Sequence, residues 1–255
     1  MINRPVTSAI VLAGGLGTRL RSAVPDLPKP MAPVAGRPFL AHLMDQWIAQ
    51  GIDHFVLSVG YRHEAISDCF GRSYRNASLD YAIEDTPLGT GGAVLLAASR
   101  LSLDAPVLLL NGDTHFDVKL DRLSAFAART DADWCMALFR TQEVGRYMGV
   151  EVASDGRITD LRSGTGRPGR LDRLANGGVY VVNPRALSGT GRDLAAPLSL
   201  ENDLFPQALA AGQRFVGLEC DGAFIDIGVP DDYHRAATVL PRLVSTREVD
   251  HAQHH

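Results

Sequence analysis

The run Ser8-Ala-Ile-Val-Leu12 reads as a buried β-strand, and it ends directly on Ala13-Gly14-Gly15-Leu16-Gly17. Glycines at the carboxyl end of a strand let the backbone approach a ligand closely, which restricts the chain to a small set of folds. Apolar stretches then alternate with helical patterns. The periodicity predicts a helix over Phe39–Gln50, a strand over His54–Val59, a short helix over Glu64–Phe70 and a strand over Leu79–Ile83. A helix over Gly91–Arg100 and a strand over Val107–Leu110, ending on Asn111-Gly112-Asp113, continue the series. Such alternation implies right-handed crossovers. The expected fold class is α/β: a Rossmann-like three-layer α/β/α domain with a mainly parallel central sheet. Ligands bind at the carboxyl ends of such strands, so the loops after Leu12, Ile83 and Leu110 are where chemistry is expected.

The second half has a different texture. Trp134–Phe139, Gly149–Val152 and Gly178–Val182 read as strands, and Asp155-Gly156 is a hairpin turn between Val150–Val152 and Ile158–Leu161. Gly164–Arg173 is a Gly/Arg-rich loop. A helix is expected over Leu200–Ala211, a strand and turn over Asp221–Pro230, and a last helix over Pro230–Leu240. This half is expected to form a smaller β lobe on the same domain. Residues 241–255 are expected to be a flexible tail.

The net charge of −4 argues against a nucleic-acid partner, because sequence-independent binders carry a basic excess. Three cysteines, Cys69, Cys135 and Cys220, are widely spaced with no CxxC pair, which argues against structural disulfides and zinc. No apolar run is long enough to span a membrane and the N-terminus does not read as a signal peptide. The expectation is a cytoplasmic protein with no membrane partner.

The strongest local signal is Leu12-Ala13-Gly14-Gly15-Leu16-Gly17-Thr18-Arg19. Its N–H groups can form an anion cradle, and Arg19 can fork onto phosphate oxygens. It is not a P-loop, having no GK[ST], and it is not a dinucleotide fingerprint, because Pro25, Pro28 and Pro30 follow instead of a helix. A plain tight turn would explain the glycines but not the cations downstream. Lys29, one of two lysines among 25 basic residues, sits between Pro28 and Pro30. A lysine held on a stiff loop near a phosphate cradle suits a transferring phosphoryl group; a solvated surface lysine is the plainer reading. Asp113 closes one apolar strand and Asp226 another, between Ile225 and Ile227. A carboxylate in apolar surroundings is costly unless it meets a cation.

These motifs resemble the sugar-1-phosphate nucleotidyltransferase (NDP-sugar pyrophosphorylase) family. The likeness runs from about Ser8 to Ala237 and includes Glu84–Gly92, Asn111–Asp113, Asn176–Tyr180 and Phe224–Gly228. Within the family it is strongest to the heptose 1-phosphate guanylyltransferase branch. The resemblance implies an NTP, GTP in that branch, and a sugar 1-phosphate as small-molecule substrates, in nucleotide-sugar synthesis for surface polysaccharides. It implies Mg²⁺ on Asp113 and Asp226, with Arg19, Lys29 and Asp113 as catalytic residues. The nucleotide is expected on Leu12, Ala13, Gly14, Gly15, Gly17, Thr18 and Arg19 and on Glu84, Pro87, Leu88, Gly89 and Thr90. Glu84 could accept from the two adjacent donors of guanine or, alternatively, cap local backbone. The sugar is expected on Asn111, Gly112, Tyr147, Gly149, Asn176 and Gly177. Residues 1–130 would then be a nucleotide-binding half and 131–240 a sugar-binding half of one domain, compatible with a homodimer.

The chain departs from the family at one place. Many relatives carry a Glu-Lys pair just after the hairpin, whereas Asp160-Leu161-Arg162-Ser163 stands here. Arg162, or Arg167 and Arg170 beyond it, is expected to neutralise the sugar phosphate instead. Other readings stay open: mannose 1-phosphate as substrate, a cytidylyl or thymidylyl donor, or a silent sensor of NDP-sugars.

Overall fold

The computed structural model describes residues 4–15, 17–20, 23–143, 145–162, 173–187 and 196–240; the side chains of Thr18 and Arg162 lie outside that description. Strand β1 (Ser8–Leu12) sits at the centre of the main sheet, paired parallel with β4 (His54–Val59) and β7 (Val107–Asn111). Ala9, Ile10 and Val11 are fully buried because both faces of the sheet are covered. Ala9 and Val11 point to a core shared with helices α1 (Phe39–Ile48), α2 (His63–Phe70) and α4 (Leu120–Arg129). Ile10 points the other way, toward α3 (Gly89–Ala98) and, in the second half, α5 (Pro184–Leu187) and α6 (Phe205–Ala210). The alternation expected of a strand therefore divides one core into two layers.

Short strands β2 (Pro33–Val34) and β3 (Arg37–Pro38) form a separate hairpin before α1, and β5 (Ser73–Tyr74) edges the main sheet beside β6 (Ala77–Ile83). From that edge the order runs β5–β6–β4–β1–β7–β12–β10–β11. Strand β12 (Arg173–Val182) is antiparallel to β7 and also pairs with β9 (Trp134–Thr141) and with β10 (Gly149–Val152). Strand β11 (Ile158–Arg162) completes the expected hairpin with β10, and β13 (Phe215–Glu219) lies parallel to β9. The parallel centre is thus flanked by an antiparallel second half. A small separate pair, β8 (Thr114–Phe116) with β14 (Phe224–Asp226), crosses between the halves. A helix over residues 230–240 (α7) packs with Leu20, Phe39, Ile225 and Ile227 in a third, minor core.

Three departures from the sequence reading have local causes. The helix expected over Leu200–Ala211 opens as a π-helix, Leu200–Leu204, before α6. Pro206 has no N–H to continue the α-helical ladder, and Leu204 N–H reaches Ser199 O instead, five residues back. Strand β12 starts at Arg173 rather than Gly178, because its two glycines mark a bulge within the strand rather than its beginning. Helix α4 and strand β13 are elements for which the sequence reading made no provision. Most of the Gly164–Arg173 loop and the 241–255 tail lie outside the described residues; Arg173 itself opens β12.

Candidate active site

The floor of the site is the turn after β1. Ala13 N–H donates to Ser58 O and Gly112 N–H donates to Leu12 O, so the turn is tied to the ends of both neighbouring strands. A cleft of about 550 Å³ opens above it at the carboxyl ends of the parallel strands. Leu12, Ala13, Gly14 and Gly15 line it, with Glu84, Pro87, Gly89 and Thr90 on one wall and Asn111, Gly112, Asp113 and Lys29 at the other end. The turn does not open a long helix: Thr18–Leu20 is a single 3-10 turn. Gly17, Arg19 and Leu88 do not line the cleft, and Arg19 is exposed.

Of the two expectations for Glu84, the geometry displays the local one. Its Oε2 accepts from Leu88 N–H at 3.0 Å and its Oε1 from the Ser58 hydroxyl at 3.4 Å. The carboxylate lies so close to the turn that a Cβ on Gly14 would stand 2.6 Å from Oε1. It still borders the cleft, and a carboxylate has about four acceptor positions, so two remain. Gly60 and Tyr61, after β4, also line the cleft. Sequence reasoning passes over that loop, although the carboxyl-end rule applies to β4 as it does to its neighbours.

Lys29, Asp113 and Asp226 come together. Lys29 opens a 3-10 turn, Lys29–Met31, whose prolines leave it little freedom. Its Nζ donates to Asp113 Oδ2 and lies 3.9 Å from Asp226 Oδ1, with the lysine side chain only 14% exposed. Asp226 reaches this point because β14 pairs with β8, which sets Asp226 opposite Thr114, the residue after Asp113. Ile227 N–H donates to Asp113 O at 3.0 Å and locks the register.

Burial, and then the like charge of Asp113, push the Asp226 carboxyl above its ordinary value; Lys29, the Gly228 N–H and Arg146 pull it back. Two carboxylates this close, sharing one ammonium, suit an oxygen-seeking divalent cation. Among the described residues no group of three or more His, Cys, Asp or Glu side chains is arranged for a metal. An ion held by Asp113 and Asp226 would therefore take its other ligands from phosphate oxygens and water.

Arg146 is a further residue that sequence reasoning missed. Its Nη2 lies 3.3 Å from Asp226 Oδ2 and also bonds the buried Asp232 of α7, and its guanidinium stacks 4.8 Å from the Tyr147 ring centre. It clamps Asp226 from the side opposite Lys29. The only available signal was its place beside Tyr147. Tyr147 itself packs edge-on against Phe139 and Phe224, at 5.1 and 5.4 Å between ring centres. Gly149 pairs with Ala175 at the start of β10. Asn176 and Gly177 lie in the β12 bulge, and Asn176 is buried. None of these four residues borders the cleft as bounded above, nor does Asp226. The Arg162 backbone faces Gly149 across β10 and β11, while its side chain, Arg167 and Arg170 lie outside the described residues.

This fold and cleft are those of an enzyme class, and the comparisons agree. The chain belongs to the nucleotidyl transferase family, whose profile matches residues 8–242. It is 39% identical over 237 residues to the D-glycero-α-D-manno-heptose 1-phosphate guanylyltransferase of Aneurinibacillus thermoaerophilus, covering 92% of this chain and 99% of that one. It is 33% identical to a mannose-1-phosphate guanylyltransferase of Mycobacterium tuberculosis, covering 92% of this chain and 64% of that longer protein. HddC from Yersinia pseudotuberculosis, solved in complex with GMP-PN, superposes with a TM-score of 0.77 at 29% identity, covering 91% of this chain and 99% of HddC. The three-layer α/β fold and the nucleotidyltransferase class expected from the sequence both stand. No helix among the described residues is long and apolar enough to cross a membrane.

Proposed function

We propose that this protein transfers GMP from GTP to D-glycero-α-D-manno-heptose 1-phosphate, forming GDP-heptose and pyrophosphate. The observation that carries the reading is the convergence of Lys29, Asp113 and Asp226 at one end of a glycine-floored cleft. The name of the 39%-identical relative supplies the base and the sugar. A phosphate oxygen of the sugar 1-phosphate attacks the α-phosphorus of GTP in line, the bond to the β-phosphate oxygen breaks, and pyrophosphate leaves with that electron pair. No covalent enzyme intermediate is needed, so the chain's work is positioning and charge neutralisation. The glycine turn presents N–H groups to phosphate. Lys29 supplies a fixed positive charge where negative charge accumulates. A Mg²⁺ ion at Asp113 and Asp226 would bind phosphate oxygens and draw charge from them. The two free acceptor positions of Glu84 suit the adjacent donors of guanine. This chemistry draws on small molecules of the cytoplasm.

The test is pyrophosphate release with Mg²⁺ across a grid of NTPs and sugar 1-phosphates. Turnover confined to GTP and the heptose supports the whole reading. Turnover with mannose 1-phosphate, or with another NTP, keeps the class and moves the specificity. Binding of NDP-sugar without any turnover would make the protein a sensor.

A further inference from the structure

Beside the cleft, on the proposed sugar side, stands a carboxylate that pairs with no cation among the described residues, and its mounting is elaborate. Glu201 lies on the π-helix Leu200–Leu204. That turn is fixed at its start, where Ser199 Oγ accepts from Asn202 N–H at 3.1 Å and Ser199 N–H donates to Asp203 Oδ2 at 2.7 Å. It is also fixed to the cleft, since Leu200 N–H donates to the hydroxyl of Thr90, a cleft residue, at 2.8 Å. Single π turns inside helices occur often at functional positions.

Asn176 holds Glu201 from the other side. One amide proton goes to Glu201 Oε1 at 2.9 Å and the other to the Tyr180 hydroxyl at 2.6 Å, while Oδ1 accepts from Gly178 N–H at 3.1 Å. Gly178 in turn abuts Asn111, at the catalytic end of the cleft: a Cβ on it would stand 2.7 Å from Asn111 Nδ2, and its φ is +68°. Glu201 is thus suspended between Thr90 on one cleft wall and the strand that abuts Asn111. Both amide protons of Asn176 are spent, so the residue expected to meet a sugar hydroxyl serves as a bracket instead.

Glu201 Oε1 has this one amide as partner, and Oε2 has no protein donor among the described residues. Burial raises the Glu201 carboxyl, the Asn176 amide opposes the shift, and the charge of Asp113 adds to it, with no cation of the described residues contributing. A half-buried carboxylate with a single neutral donor among the described residues loses hydration without full compensation, and a rigid mount limits its turning toward water. Sugar hydroxyls are the donors that such an acceptor fits.

We propose that Glu201 contacts a ring hydroxyl of the sugar 1-phosphate through Oε2 and determines which sugar is accepted, with Asn176 as its positioning residue. It takes up the hydroxyl-reading duty for which residues 160–163 offer no glutamate. The inference rests on the sugar-phosphate reading above.

The experiment compares wild type, Glu201→Gln and Glu201→Ala in pyrophosphate release. Substrates are the sugar 1-phosphate that wild type uses best and its monodeoxy analogues, with GTP binding and Tm measured alongside. The expected result is a rise of about tenfold or more in sugar-phosphate KM for Glu201→Gln, with GTP affinity within twofold and Tm within a few degrees. One monodeoxy analogue should cost wild type a similar factor and cost Glu201→Gln nothing further. Glu201→Gln keeps side-chain size and the acceptor for Asn176, so it serves if Glu201→Ala does not fold. An unchanged sugar KM in Glu201→Gln, or equal penalties from every deoxy analogue in both proteins, overturns the inference alone. A wild type that uses no sugar 1-phosphate overturns the functional reading and this inference with it.

Discussion

The two halves of the site are built differently. The half proposed to hold the nucleotide rests on one short turn between the ends of three parallel strands, and most of its lining residues lie within a few positions of β1, β6 or β7. The half proposed to hold the sugar is assembled from the β12 bulge, the π turn of Leu200–Leu204 and the β8–β14 pair, elements far apart in the chain. A site made of adjacent backbone is specified by local conformational preference. A site made of distant side chains depends on register, burial and countercharge, any of which one substitution can disturb.

Substitutions can break that contrast at its shared point, and Asp113→Ala should do so with the largest effect. Pyrophosphate release should fall by about a thousandfold or more, because the Mg²⁺ proposed at Asp113 and Asp226, which would neutralise phosphate charge, loses a ligand, while Tm stays within a few degrees. Near-normal turnover would refute the assignment of Asp113 to the metal and phosphate site. Lys29→Ala comes next, with kcat expected to drop about a hundredfold while GTP affinity changes little. A parallel loss of GTP affinity would make Lys29 a ground-state contact.

Two glycine substitutions sharpen the comparison itself. Gly14→Ala places a methyl 2.6 Å from Glu84 Oε1 and should raise the KM for GTP about tenfold with the sugar KM nearly unchanged. Gly178→Ala must adopt φ +68° and meets Asn111, so it should weaken sugar use and cost about 1–2 kcal/mol in stability by chemical denaturation. If both variants moved the two KM values together, the halves would not be separable. The smallest effect is expected at the far edge of the second half, where Arg140 holds the Glu219 carboxyl below its ordinary value. The folded state lowers this pKa, so the pair stabilises above about pH 4.3 and the gain is lost as pH falls through the folded value. Half-exposed Arg140 makes the gain small. Arg140→Gln should remove only a slight part of the acid dependence of Tm, leaving turnover unaltered.

Legibility followed the same division. The strands β1, β4 and β7 and the glycine turn could be read because apolar runs and glycines act on their own neighbourhood. The stiffness of the Lys29 loop was likewise visible in Pro28 and Pro30. Glu84 shows the limit of such reading: its carboxyl type suited either a base contact or a local backbone cap, and only the fold shows it bonded to Leu88 N–H and Ser58. Asn176 was legible as a polar residue suited to a sugar hydroxyl, whereas its place in a bulge and its commitment to Tyr180 and Glu201 were not. Arg146 offered nothing beyond its place beside Tyr147, since its meaning comes from Asp226 and Asp232, 80 and 86 residues away.

By itself the sequence determined the parallel α/β frame, the glycine turn at its centre, the rigid lysine and the presence of two carboxylates at strand ends. Local steric preference and hydrophobic periodicity act over a few residues, and those are written directly in the chain. The tertiary structure alone decided that β14 pairs with β8 so that Asp226 meets Asp113, that Arg146 closes the far side, and that Asn176 braces Glu201. Those outcomes depend on which group lies opposite which after the sheet has closed, and on what charge remains unpaired once water has been excluded.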